Sequence, residues 1–291
     1  NAGSLLAFLL VALYLGETPN NIQFAVLFSF SCLVGGGSLL FIRRVPDVLP
    51  PEEEKGKKQQ APWNDIFKNK PFRKLLWVEF FMAVSLGGLA AFTVKYLRAE
   101  AGMQVNHIML ASAAKFVGAL GTLWFLKNRL DRLGSRPVIL FGTIVGLLCV
   151  LLFSLIAGKV VSLNFYAVAA LYFSFGFVLS AVTMSMTRLA MSTVPRLGCS
   201  YYFAVFAVVG NLAMGISPTL WGLMIDLLSA KEDIWMGIEW NEYTIYFVGV
   251  SLVLFMTALA TMRLEENKAA KLNELFIDLI RHSPLRSWIR N

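Results

Sequence analysis

Apolar residues in this chain come in long continuous runs set apart by short polar stretches, without strict alternation. Eight runs stand out: Asn1–Leu15, Phe24–Ile42, Leu75–Leu97, Val105–Phe125, Pro137–Ala157, Leu163–Met186, Ser200–Leu227 and Tyr243–Thr261. A helix of ~20 apolar residues, rising ~1.5 Å per residue, crosses a hydrocarbon core of ~30 Å. Backbone groups in lipid must bond one another, which leaves helices or a closed barrel. Continuous runs favour helices, because a barrel strand would alternate. The pattern therefore predicts an all-α integral membrane protein with eight transmembrane helices visible. The first run opens on Asn1 rather than Met, with no basic leader or small-residue cleavage site, so it reads as part of a fragment whose N-terminal part is missing.

The polar stretches organise the runs. Gly16–Asn21 is a turn by composition and holds no Lys or Arg. Residues 45–74 form a linker, with Pro46, Pro50 and Pro51, the acidic block Glu52–Glu54 and several lysines. Its end, Trp63–Arg73, reads as an amphipathic helix on the membrane surface. Gly35-Gly36-Gly37 would let a neighbouring helix approach the second run closely. Gly87-Gly88 would let the third run bend. After the last run, Leu272, Leu275, Phe276, Leu279 and Ile280 share a helical face, so residues 264–291 read as a cytoplasmic amphipathic tail.

Composition agrees: 57% of residues are hydrophobic, 15% are charged, and the mean hydropathy is +0.65. The net charge of +8 would suggest nucleic acid in a soluble protein. Here its distribution argues otherwise. If successive runs cross a membrane, four of the 26 Lys and Arg (Lys95, Arg98, Lys159 and Lys231) face one side and Lys115 lies inside a run. All the rest fall on the opposite side, which the positive-inside rule makes cytoplasmic. The expected partner of that charge is the lipid bilayer, and no nucleic acid is implied. Cys32, Cys149 and Cys199 lie in or beside apolar runs, fit no metal spacing, and read as small buried hydrophobes.

The most informative loop is Leu126–Ile139, LKNRLDRLGSRPVI. Asp131 and Arg132 are adjacent and would point to different neighbours. Gly134 permits a tight reversal, and Pro137 suits the first turn of a helix. This order resembles the cytoplasmic loop signature of the major facilitator superfamily (MFS) of secondary transporters, G-x-L-x-D-R-x-G-R-R-x-x-L. Asp131, Arg132, Gly134 and Arg136 match it, and Ile139 stands for the final Leu. Lys127, Arg129 and Ser135 depart from it. The superfamily also shows a long basic linker between its halves, an N-x-P-F-R-x-L entry such as Asn69–Leu75, and a G-x-x-P-x-x-x-G pattern that Gly215, Pro218 and Gly222 fill.

Under this resemblance the eight runs are the fifth to twelfth helices of an MFS-type helical bundle. Residues 1–44 would hold the last two helices of the N-terminal half, residues 45–74 the inter-half linker, and residues 75–263 the C-terminal six-helix half. The missing N-terminal helices of the same protein become a partner. The resemblance implies alternating-access transport of a small-molecule substrate, as a symporter or antiporter using H+ or Na+ or as a facilitator. The membrane would be the plasma (bacterial inner) membrane. It gives Asp131, Arg132, Gly134 and Arg136 a gating role, in contacts that break and re-form as the halves rock. It gives Gly87, Gly88, Gly210, Gly215 and Pro218 roles in helix packing and bending.

Three side chains are candidates for substrate binding or coupling. Lys115 lies near the middle of its run, where a charge costs at least ~2.5–3.5 kcal/mol and needs a cavity, counter-ion or anionic substrate. Its alternative is snorkelling or packing on helix carbonyls. Glu79 could titrate, but it sits one turn into its apolar run, ~10 Å from Lys115 in depth by run length. That position also suits an interfacial carboxylate. Asn211, beside Gly210, could bond a substrate or bridge two helices. Tyr201 and Tyr202 begin their run and read as interfacial anchors.

Enzymatic chemistry is disfavoured. His107 and His282 fall on opposite membrane faces, and no His-x-x-x-His, Glu-x-x-His or Gly-x-Ser-x-Gly occurs. No Walker-type phosphate loop occurs either, so no cofactor or ATP site is expected. An MFS-like lipid or lysolipid flippase, or a transporter-like receptor, stays open as an alternative. Apolar lining around Lys115 would favour lipid and polar lining would favour a solute.

Overall fold

A computed structural model describes residues 2–15, 20–42, 63–126, 130, 134–195, 198–229, 233–235 and 237–266. Its helices are α1 (Ala2–Leu15), α2 (Asn21–Ile42), α3 (Trp63–Lys68), α4 (Lys70–Gly87), α5 (Leu89–Ala99), α6 (Val105–Leu126), α7 (Ser135–Ala157), α8 (Phe165–Thr193), α9 (Cys199–Leu228) and α10 (Glu242–Met262). A short antiparallel hairpin, β1 (Asp233–Trp235) and β2 (Ile238–Trp240), precedes α10. Among the described residues, seven segments are long and apolar enough to span a membrane, with α4 and α5 counted as one. The first predicted span falls short, because α1 has 14 residues and reaches only ~21 Å.

Several boundaries have identifiable chemical causes. Asn69 caps α4 by accepting the Phe72 N–H at 3.2 Å, and Pro71 sits in the first turn, where no N–H is needed. Asn164 and Asn241 cap α8 and α10 in the same way. The Asn69 cap also corrects an expectation. The amphipathic stretch Trp63–Arg73 is two helices, with α3 ending at Lys68 and the polar residues 70–74 belonging to the span. Gly88 then separates α4 from α5, as the glycine pair predicted. Hydroxyls inside the spans donate to the carbonyl one turn back, as Ser85, Ser112, Thr143, Ser251 and Thr261 do, so these polar groups stay satisfied in an apolar setting.

The helices pack in two layers joined by α10. On one side, α6 crosses α8 closely. A Cβ on Gly176 would lie 1.8 Å from the Lys115 carbonyl oxygen, and one on Gly118 would lie 2.1 Å from that of Phe173. Only hydrogen side chains allow this approach. Thr122 Oγ1 seals it by donating to the Phe177 carbonyl at 2.5 Å. On the other side α4 packs on α9, where Gly87 abuts the Met214 carbonyl. Pro218 lies inside a continuous α9 and removes the N–H that would bond Met214. The core runs along α10, where Tyr246, Phe247 and Val250 are fully buried against Phe92, Phe153 and Trp221.

Four expectations change. Gly35-Gly36-Gly37 meets open space, because no part of Asn21–Ser38 in α2 is buried among the described residues. Cys32, on the same helix, is exposed rather than buried. Gly215 also faces open space, since it lies off the α9 face that meets α4. Tyr202 is a core residue, 5% exposed and edge-on to Phe72 at 4.9 Å, rather than an interfacial anchor. The linker of residues 45–62 and the tail of residues 267–291 fall outside the described residues.

Candidate functional site

A cavity of about 630 Å³ opens between the two layers. Its walls come from α1, α4, α5, α6, α7, α8 and α9, and they are predominantly apolar, with Met82, Leu86, Phe116, Phe175, Phe206 and Met214 among them. All three sequence candidates line it: Glu79 from α4, Lys115 from α6 and Asn211 from α9. Helix α4 starts at Lys70, so Glu79 lies about two and a half turns in and shares a cavity with Lys115.

Each charged side chain has a defined seat. Glu79 rests against Gly210, where a Cβ would lie 2.6 Å from Glu79 Oε1. The bare backbone of Gly210 therefore makes room for the carboxylate beside Asn211. Lys115 occupies the middle of the 22-residue α6, with its backbone carbonyl against Gly176 of α8. The two charges belong to different walls: Glu79 to the α4–α9 layer, Lys115 to the α6–α8 layer. They form no ion pair, and among the described residues neither has a hydrogen-bond partner.

Tyr172 of α8 is a site residue that the hydropathy pattern does not single out. Its hydroxyl is buried without a hydrogen-bond partner, and the residue lines the same cavity. Its ring stands edge-on to Phe153 at 6.2 Å. Nothing in its sequence context separates it from the apolar residues around it, because only the fold orients its hydroxyl. By contrast, the cavity hydroxyls of Ser112, Thr183 and Thr187 bond carbonyls of their own helices. No group of three or more His, Cys, Asp or Glu side chains among the described residues could hold a metal.

The described part of the signature loop, Leu130 and Gly134 onward, makes contacts with the end of α10 and with α8. Asp131 and Arg132 lie outside the described residues. Gly134 adopts φ +80° at the start of α7, the left-handed region that favours glycine, and its N–H donates to the Leu130 carbonyl at 3.0 Å. Glu266, just after α10, accepts the Ser135 and Arg136 N–H groups at 2.9 and 2.8 Å. The Arg136 guanidinium reaches back to the Met262 carbonyl at 2.5 Å. Lys74 pairs with Glu265, and Arg188 donates to the Leu130 carbonyl. The Lys74 ammonium, by hydrogen bond and charge, with a further contribution from Lys70, holds the Glu265 carboxyl below the usual carboxylate range. Glu266 is not legible in the sequence, since a Glu after an apolar run looks like any solvated end.

A helical bundle built around a central cavity, with a D-R-x-G-type loop at one end, can be set against known families. The family model described as Major Facilitator Superfamily matches residues 1–218 and 89–289, together nearly the whole chain. The chain belongs to the major facilitator superfamily. No curated protein matches it. Membership makes it an integral membrane protein of a transporter family whose members bind small-molecule substrates. Within this MFS chain, polar side chains line the cavity, and Glu266 clasps the start of α7 through Ser135 and Arg136.

Proposed function

We propose that this chain moves a small solute across the membrane by alternating access, with the central cavity as the cargo site. The observation that supports this reading is the placement of Lys115. A cation in mid-span costs at least ~2.5–3.5 kcal/mol, and here it lines a cavity that Glu79 and Asn211 also line. In secondary transporters, midplane sites of this kind receive cargo. Lys115 attracts an anionic group, Asn211 supplies a donor and an acceptor, and Glu79 is the carboxylate available to carry a coupling proton. Rocking of the two halves would expose the cavity to each side in turn, with the loop of Asp131, Arg132, Gly134 and Arg136 remaking its contacts at one end.

The apolar lining favours a second reading, in which the cargo is an amphipathic lipid. Uptake in proteoliposomes decides between them. A solute library is screened with and without an imposed proton gradient, beside a fluorescent lysolipid flip assay on the same vesicles. Solute uptake lost in Lys115→Ala at matched protein abundance supports the first reading. Lysolipid movement without solute uptake supports the second, and neither activity in the wild-type protein would sink both.

A further inference from the structure

We propose that the cargo of this cavity is a zwitterion with an apolar body, its acidic end held by Lys115 and its ammonium end held by Glu79. The inference rests on the reading of the cavity as the cargo site. Its basis is that two opposite charges line the cavity and, among the described residues, neither has an ion-pair or hydrogen-bond partner. They do not pair with each other, because Glu79 is seated against Gly210 on the α4–α9 wall and Lys115 rises from the α6–α8 wall. A buried charge without a partner is unfavourable, and truncating one member of a buried pair leaves the other stranded. A simple anion would neutralise Lys115 and strand Glu79; a simple cation would do the reverse. One molecule carrying both charges, set apart by an apolar segment, compensates both.

One neutral polar group fits the same division. Asn211 follows Gly210 on α9, the wall of Glu79, and its carbonyl can accept from the ammonium end. Apart from these groups the cavity lining is predominantly apolar, which suits a methylene or aryl body and disfavours a polar one such as a sugar. The cavity volume of about 630 Å³ lies within the ~300–1,000 Å³ typical of small-molecule sites.

The test compares three probes of one body length on the full chain in nanodiscs: ω-aminooctanoic acid, octanoate and octylammonium. Binding is read by calorimetry, and uptake is read separately in proteoliposomes. The wild type should bind ω-aminooctanoic acid about tenfold or more tightly than either single-charge probe. Lys115→Met should shift the preference to octylammonium, and Glu79→Gln should shift it to octanoate. The three-probe comparison on the wild type carries the test if a charge variant fails to elute as a monodisperse species. Equal binding of the three probes, no binding by any of them, or the same preference in both charge variants would overturn the proposal. If the zwitterion binds with the expected pattern but is not taken up, the transport reading fails and the zwitterion site stands. Uptake of octanoate that depends on Lys115 but not on Glu79 does the opposite: transport stands and the zwitterion site fails.

Discussion

Glu266 accepts the backbone N–H of Arg136 at 2.8 Å, while the Arg136 guanidinium donates to the Met262 carbonyl at 2.5 Å. The start of α7 and the end of α10 are thus clasped in both directions. The carboxylate also takes the Ser135 N–H, so it meets two of the donors that a helix start leaves unpaired and sits at the positive end of the helix dipole. Glu266→Ala should therefore lower thermal stability by about 0.5–2 kcal/mol, the usual scale for a lost cap. Glu266→Gln, which keeps one acceptor, should fall between. Thermal unfolding in detergent followed by tryptophan fluorescence measures both, and equal stability of all three proteins would remove Glu266 from the cap.

The Lys74–Glu265 pair should leave a small pH signature. Glu265 titrates below its ordinary value in the folded protein because Lys74, aided by Lys70, favours the carboxylate. A carboxyl with a depressed folded pKa adds stability above its unfolded pKa of ~4.3 and loses it as pH falls through the folded value. The wild type should thus exceed Glu265→Gln in unfolding temperature at neutral pH, and the gap should close below about pH 4. The pair is exposed, so the gap should be small and shrink in salt.

Close crossing of α6 and α8 predicts a contrast between glycines. Gly176→Ala would place a methyl 1.8 Å from the Lys115 carbonyl oxygen, backbone that cannot turn aside. It should cost at least ~1–3 kcal/mol, the scale of overpacking, and reduce folded yield. Gly215→Ala meets nothing within 4 Å and should be neutral or stabilising by up to ~1 kcal/mol through helix propensity. Size-exclusion profiles of fluorescent fusions would rank the two.

Gly210→Ala differs in kind, because the atom in the way is the movable end of Glu79. The fold should survive while the carboxylate shifts. Uptake, or its dependence on an imposed pH gradient, should change by more than thermal stability does. A variant that unfolds, or one indistinguishable from wild type in transport, would show that the Gly210 seat does not position Glu79.

Lys115→Ala should separate stability from activity. Removing a mid-span cation relieves an insertion cost of ~2.5–3.5 kcal/mol or more. The variant should thus be as stable as wild type or more so, while cargo uptake falls to background. Loss of both together would mean that Lys115 serves packing.

Much of the architecture was legible because lipid restricts it. Runs of about twenty apolar residues permit little besides spanning helices, and Asn69, Gly88, Asn164 and Asn241 mark local ends through chemistry acting within a few residues. The D-R-x-G order of the loop likewise placed the chain in its superfamily before any packing was known. Lys115 could be singled out because the cost of a mid-span charge depends on depth, which run length supplies.

What run length could not supply was which side chains meet. Glu79 looked interfacial because the apolar run began at Leu75, yet the Asn69 cap carries the helix back to Lys70 and lowers Glu79 into the cavity of Lys115. Gly210 and Gly215 look alike on one helix, and only the path of α4 decides that one seats a carboxylate while the other faces open space. Tyr172 and Glu266 had no local mark, because their roles depend on partners, or the lack of them, set by distant helices. Periodicity, capping and hydropathy act over one or two turns and can be read along the chain. The cavity and the clasp arise where α4 meets α9, α6 meets α8, and α7 meets the end of α10, so they exist only once the helices have packed.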